Sequence, residues 1–301
     1  MMRLPSGLAQ HLAALRVLLV LTIGTGLAYP LAITAIAQLP GLKHHADGSI
    51  IKVDGAAVGS ALIGQSFVDS NGMALVQYFQ SRPSAAGDGY DPTATSASNL
   101  GPESVVDVLG DPAKANNPDG DGSKPSLLTQ VCARSLAVGA LEHVDGARPY
   151  CAPGGVGAVL AVFRRDGAIG PVTRVVSVNE ACPATPFLTT YQGVAVACAR
   201  FGDDYARGVI TAIRGDAPAN PAVPSDAVTA SGSGLDSQIS PAYAQLQAAR
   251  IAKARGIDAA TVRALIARYT TGRALGFLGE PGVNVLQLNV ALEQQYPYHA
   301  S

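Results

Sequence analysis

The chain has 301 residues, long enough for one or two domains with a proper core. Charged side chains make up only 14% of it, and 21 lysines and arginines against 22 acidic residues leave a formal charge of −1, so nothing marks a nucleic-acid partner, which would need a basic face. Tryptophan is absent, glycine and proline are plentiful at 33 and 20, and mean hydropathy is positive, which directs attention to an apolar segment.

That segment lies near the start. Val17 to Leu39 reads VLLVLTIGTGLAYPLAITAIAQL, 23 residues without a charge. About 20 apolar residues at 1.5 Å rise each cross a hydrocarbon core of about 30 Å, so a transmembrane helix is expected over residues 15–40. Arg3, Arg16 and the free amino group precede it and Lys43 follows, an excess that sets residues 1–14 in the cytoplasm and the C-terminal bulk outside. A cleaved signal peptide competes, because Ala35-Ile36-Ala37 has the small-x-small pattern of a cleavage site, but the usual apolar core there is only about 7–15 residues. Thr22-Ile23-Gly24-Thr25-Gly26 looks like a potassium-channel filter. A filter needs flanking helices to support its non-helical backbone, and these residues sit inside the only span. Their useful content is a small-xxx-small face of Gly24 and Ala28, with Thr22 and Gly26 close by, which lets another membrane helix approach.

After the span, Gly48 to Ser60 reads as a hairpin turning at Asp54-Gly55, a pair that favours a type I′ turn. Ala61 to Phe67 suits a further short strand, and Met73 to Gln80 a short helix ended by Arg82-Pro83. Gly87 to Ser104 is dense in turn formers and reads as irregular. Asp111 to Lys124 is a polar, glycine- and proline-rich linker. Within it, Asn117-Pro118-Asp119-Gly120-Asp121-Gly122 mimics the opening of a calcium loop, but the twelfth position is Leu128 rather than a bidentate glutamate. No metal site is expected.

The linker opens a distinct region with short β-like runs at 157–163, 173–178 and 193–199. It holds all four cysteines, Cys132, Cys151, Cys182 and Cys198, with no C-x-x-C and no histidine at zinc spacing. An even count in an extracytoplasmic domain reads as two disulfides, against the alternative of buried free thiols. Three pairings are open, and the sequential one, 132–151 with 182–198, is the working expectation.

The C-terminal part reads as helical. Ser240 can cap, Pro241 suits the first helical position and Gly256 can terminate after Lys253 and Arg255. Asp258 begins a second helix to about Tyr269, and Val283 to Gln295 a third. Ahead of the first lies Ser231-Gly232-Ser233-Gly234, a loop whose amides could hold a phosphate beside a helix N-terminus. Gln247, seven residues after Ser240, falls on roughly the same helical face. No lysine stands in a phosphate-reading position, however, and a turn into the helix explains the loop equally. Neither a G-x-S-x-G elbow, H-E-x-x-H nor G-x-x-x-x-G-K-[ST] occurs, and His11, His44, His45, His143 and His299 assemble no catalytic set.

Several strings together resemble the C subunit of the Kdp-type potassium-transporting P-type ATPase. They are Leu62-Ile63-Gly64-Gln65-Ser66-Phe67, Tyr78 through Ala85 (YFQSRPSA), Tyr90-Asp91, Ser98-Asn99-Leu100-Gly101-Pro102, Val228 through Asp236 (VTASGSGLD), Ile239-Ser240-Pro241, Arg250 through Arg255 (RIAKAR), Gly279-Glu280-Pro281 and Val283-Asn284-Val285-Leu286. The likeness covers about 1–110 and 222–296. It departs at Ser237-Gln238, where the family often has proline and a polar residue, and at Gly282, where an arginine is common.

The resemblance implies an α+β fold: one N-terminal transmembrane helix, then an extracytoplasmic α/β domain over 41–110 and 219–301; the inserted β-rich, disulfide-containing region read over 111–218 interrupts the family's order and is a departure from it. It implies a non-catalytic accessory subunit of an ATP-driven potassium importer in the cell membrane. The partners would be a channel-like potassium-binding subunit and an ATP-hydrolysing pump subunit; this chain lacks the D-K-T-G-T phosphorylation sequence of such pumps. The family's C subunit is described as a catalytic chaperone that raises the pump's ATP affinity, with nucleotide contacts that would fall here on Ser231, Gly232, Ser233, Gly234 and Gln247. No tightly bound cofactor is expected, only ATP shared with the pump subunit. The rival readings are a nucleotide-binding regulator on the cytoplasmic side and a secreted, disulfide-stabilised binding domain.

Overall fold

The computed structural model describes residues 5–94, 100–117 and 120–299. Ser98 and Asn99 of the resemblance, Pro118 and Asp119 of the calcium-like stretch, and Arg3 lie outside them. The chain divides into two compact units, Met1–Leu62 and Ile63–Ser301.

The first unit begins with a helical rod: α1 (Ser6–Ile23), a single π-helical turn (Gly24–Ala28) and α2 (Tyr29–Ala37). The apolar helix, Gly7–Ala37, runs 31 residues with none of its most apolar window buried, and so reaches about 46 Å at 1.5 Å per residue, enough to cross a bilayer. It begins earlier than the expected residue 15, because Leu8, Ala9, Gln10, Leu12 and Ala13 are good helix formers. The π turn was not expected, and Pro30 gives its reason. In a regular helix the proline ring would clash with the carbonyl of Gly26. The Tyr29 N–H instead reaches back to the Gly24 carbonyl, one residue further than in an α-helix, which opens the ladder just ahead of the ring. A one-turn helix, α3 (Lys43–Ala46), leads to the hairpin of β1 (Ile50–Val53) and β2 (Ala56–Ser60). Asp54 and Gly55 both take positive φ, 50° and 83°, as a type I′ turn requires.

In the second unit, the first stretch corrects two expectations. Residues 61–67 form no strand, and 73–80 form no helix but a run of turns with one isolated bridge, Val68 to Ala74. Partners distant in sequence decide both backbones, as described below. The region from 111, expected to be β-rich, also contains a four-turn helix, α4 (Leu127–Glu142), for which no expectation was set. The Ser126 hydroxyl accepts from the Thr129 N–H and caps its start, while His143 closes it in the left-handed conformation.

A five-stranded sheet follows, built from β3 (Val159–Asp166), β4 (Ile169–Ala181), β5 (Thr190–Tyr191), β6 (Val194–Ala199) and β7 (Val209–Ala212) in the order β5-β6-β4-β3-β7. The β4–β6 pair is parallel and the rest antiparallel. The three expected runs fall in β3, β4 and β6. Val159, Ala161 and Val178 pack in one cluster and Leu160, Val162 and Val175 in another, which is why these strands read as apolar runs. The cysteines pair sequentially, Cys132 with Cys151 and Cys182 with Cys198, at Cα separations of 5.4 and 5.1 Å. The first ties α4 to the chain entering the sheet; the second joins the end of β4 to β6.

The C-terminal part places β8 (Gln238–Ile239), α5 (Pro241–Arg255), α6 (Ala259–Arg268), β9 (Thr270–Thr271), β10 (Gly282–Asn284) and α7 (Val285–Gln295). Ser240 caps α5, Gly256 ends it at φ 64°, and Asp258 caps α6. The third helix starts two residues later than expected, because Gly282–Asn284 is the central strand of the sheet β8-β10-β9. Ile239, Ala248, Ile251, Val262, Ile266, Val283, Leu288 and Leu292 form the main core, and Phe79 from the irregular segment is fully buried among them.

Candidate functional site

The serine-glycine loop is folded onto the segment 82–90. The Ser231 amide donates to the Pro83 carbonyl at 2.8 Å, and the Ser84 hydroxyl donates to the Gly234 carbonyl at 2.7 Å. Inside the loop, the Ser231 hydroxyl accepts from the Asp236 amide and the Ser233 hydroxyl from the Leu235 amide, while the Gly234 amide reaches the Ser231 carbonyl. Gly234 has φ 74°, and a Cβ there would collide with Ala86. Gly232 has open space around it.

A charged clasp holds the rest. Arg82 donates to the Asp236 carboxylate at 2.8 Å and to the carbonyls of Thr229 and Ala230. The Tyr90 hydroxyl donates to the Arg82 carbonyl, and burial pushes its pKa up to about 12, so it stays a donor. Gly64 lies against Tyr90 and the Asp236 carbonyl with no room for a Cβ, and its amide donates to the Leu235 carbonyl. This packing, rather than a strand ladder, fixes the backbone around 64.

Gln247 is fully buried on α5 and points elsewhere. Its carboxamide oxygen accepts from the Gln80 amide at 2.6 Å and from Arg250 at 2.9 Å, and its nitrogen donates to the Gln80 carbonyl at 3.1 Å. Asn289 on α7 treats Phe79 in the same way, accepting from its amide at 2.8 Å and donating to its carbonyl at 3.0 Å. Two side-chain amides thus replace strand neighbours on either side of the Phe79–Gln80 peptide. That is why 73–80 is not helical: the backbone groups a helix would use internally are held by α5 and α7.

Arg250 extends the bracket. It donates to the Val76 and Tyr78 carbonyls and pairs at 2.9 Å with Glu142 at the end of α4, both side chains being buried. The second Glu142 oxygen has no hydrogen-bond partner, and burial raises that carboxyl above the usual range against the opposing Arg250. Arg255, on the same helix, donates to Glu293 and to the Gln77 and Tyr296 carbonyls.

Of the residues expected to contact nucleotide, Ser231, Gly232, Ser233 and Gly234 therefore share one loop, and Gln247 serves a different contact. The amides of Ser231, Gly234, Leu235 and Asp236 are tied to protein acceptors, which is not the outward row that a phosphate requires. A cavity of about 600 Å³ lies next to the clasp, walled by Arg82, Ser84, Tyr90, Arg134 and Tyr243 among others, and none of the five residues lines it. The Ser231, Gly234, Leu235 and Asp236 amides thus form no cradle for a phosphate. Among the described residues no group of three or more His, Cys, Asp or Glu is placed to hold a metal.

In the first unit, Thr22, Gly24, Gly26 and Ala28 are all exposed on the rod, with the Thr22 methyl 3.9 Å from where a Gly26 Cβ would stand. Sequence reasoning missed Asn289, Arg250, Glu142 and the Arg82–Asp236 pair. A signal was present for one of them: Arg250 lies three residues after Gln247 on one helical face and opens the Arg250 to Arg255 string.

A family model described as K+-transporting ATPase, c chain (KdpC) matches residues 11–110 and 203–294. The potassium-transporting ATPase KdpC subunit of Kineococcus radiotolerans is 38% identical over 290 residues, 96% of each chain. The subunit of that name from Mycobacterium tuberculosis is 34% identical over 285 residues, 95% of this chain and 98% of that one. The one from Rhodospirillum rubrum is 34% identical over 277 residues, 92% and 91% of the two. Alignments that long leave no space to omit the stretch 111–202, so these relatives carry a counterpart of the region the family model skips.

Proposed function

The chain belongs to the KdpC family, the c chain of K+-transporting ATPases, and from that premise we propose that it is a non-catalytic, single-span subunit that stabilises a potassium-import complex. Its domain works on the extracytoplasmic side, near the ion entrance. The observation that carries this reading is the apolar rod Gly7–Ala37, whose most apolar window has no contact that buries it within the chain. A helix of that kind finds its packing in lipid and in other membrane helices, and Gly24 and Ala28 offer the close approach such packing uses. The rod's partner is the channel-like subunit, which selects potassium. The two disulfides support the external placement, because such bonds persist outside the reducing cytosol.

The effect on ATP affinity follows from assembly. The chain positions the ATP-hydrolysing subunit rather than lending a nucleotide contact, since the Ser231 and Gly234 amides and the Gln247 carboxamide already serve the protein's own backbone. Replacing Gly24 and Ala28 together by leucine should loosen the purified complex and lower its yield. Complexes of unchanged stability would overturn the packing assignment, and a C-terminal reporter active only in the cytosol would overturn the external placement.

A further inference from the structure

The cavity of about 600 Å³ in the second unit is walled chiefly by three stretches far apart in sequence: the segment 66–90, α4 and the start of α5. Its size is that of a small-molecule site. α4 contributes Arg134, Ala137, Val138 and Leu141, spaced i, i+3, i+4 and i+7, so one face of the helix looks into it. Two polar side chains of this wall are short of partners. Arg134 is half-buried and donates to the Val228 carbonyl at 3.1 Å and to Gln130 at 3.2 Å, but no acid pairs with it among the described residues, and burial penalises its charge. The wall's other arginine, Arg82, is neutralised by Asp236, and its one acid, Asp88, is exposed. Tyr243 is only 3% exposed. Its amide is bonded to Ser240, while its hydroxyl has no hydrogen-bond partner among the described residues, and burial raises its pKa so that it keeps the proton. A half-buried cation without a counterion and a buried hydroxyl without an acceptor both cost free energy until something fills them.

We propose that this cavity binds a small amphipathic carboxylate, its charge on Arg134, its apolar body against Phe67, Val76, Val138 and Leu141, and a polar atom accepting from the Tyr243 hydroxyl. One uncompensated cation in a largely apolar wall matches a single negative charge. A phosphate or a nucleotide would bring two or more charges against the same wall. The four α4 residues lie within 111–202, which the family model skips, so the site belongs to chains that carry this region rather than to the family at large. It also gives the region a task. A ligand held there joins α4 to α5 and to the segment 66–90, fastening the region from 111 to the part that the family shares.

The test photolabels the full chain in lipid nanodiscs with 4-benzoylbenzoate, an aromatic carboxylate, and maps the adducts by peptide mass spectrometry. Label is expected on the peptides carrying Met73 or Val138, displaced by octanoate, and roughly tenfold above that from the uncharged 4-benzoylbenzamide. Arg134→Gln should weaken labelling by the acid roughly tenfold or more and leave that by the amide unchanged. Tyr243→Phe, which removes only the hydroxyl, should weaken it as well. Ala137→Trp, at an exposed position of the same helical face, should abolish labelling by filling the cavity, and it decides the matter even where loss of Arg134 disturbs the fold. Labelling elsewhere or none, equal labelling by acid and amide, indifference to these substitutions, or displacement by ATP but not by octanoate would overturn the proposal.

Discussion

Replacing Gln247 by alanine separates a structural role from a nucleotide contact. The side chain is fully buried, and its loss removes the acceptor for the Gln80 amide at 2.6 Å, the donor to the Gln80 carbonyl at 3.1 Å and one of the partners of Arg250. Each buried backbone group left without a partner costs about 1–3 kcal/mol, and two of them with the small void left behind come to about 3 kcal/mol. In a unit of this size that is a fall in Tm of about 6–12 °C. The assay is thermal unfolding of the full chain in detergent, followed by circular dichroism with and without magnesium ATP. The expected result is a large destabilisation by the substitution and no effect of nucleotide on either protein. A ligand present at one hundred times its Kd would stabilise by about 2.7 kcal/mol. A wild-type Tm that rises with ATP, together with a variant that is stable but unresponsive, would refute the reasoning.

Gly234→Ala should destabilise by about 1–3 kcal/mol, since φ is 74° and the new methyl meets Ala86, while Gly232→Ala should be near neutral in denaturant unfolding. Arg250→Met alone should cost about 3–5 kcal/mol by stranding the buried Glu142 carboxylate, and adding Glu142→Leu should recover the part due to that charge but not the part due to the Val76 and Tyr78 carbonyls, read from urea unfolding curves. The Glu293 carboxyl is somewhat desolvated, yet hydrogen bonds from Arg255, the Tyr298 amide and Tyr78 hold it below the usual carboxylate range. Its folded pKa being the lower one, its stabilisation is present above the ordinary carboxylate value and vanishes as pH falls through the folded value. Because that side chain is 41% exposed, Glu293→Gln should lower stability at neutral pH by less than about 1 kcal/mol, with the difference from wild type disappearing in acid.

What could be read in advance follows the range of the forces involved. The hairpin turn at Asp54-Gly55, the Ser240 and Asp258 caps and the Gly256 terminus are local devices in which a few adjacent residues decide the backbone, and all stand where expected. The strands of the cysteine region also announced themselves, because both faces of β3 and β4 are covered. The segment 73–80 could not be read this way: its apolar spacing suits a helix, but Gln247 and Asn289, more than 160 positions away, claim its amides and carbonyls. Helix α4 was lost for a different reason. Its residues Leu127–Glu142 include Cys132 and lie beside short apolar runs that favour strands, so no helix was expected there. At the candidate site, the Ser231–Gly234 string was visible, while the partners that close it, Pro83, Ser84 and Arg82, belong to a string with no local sign of contact.

Native mass spectrometry of material captured from membranes through a C-terminal tag on this chain tests the assembly role most directly. Cells supplying all the transporter's subunits should yield the chain held with the channel-like and ATP-hydrolysing subunits, and the assembly should fall apart when Gly24 and Ala28 are both leucine. Release of the wild-type chain as a lone membrane protein from those cells would contradict it.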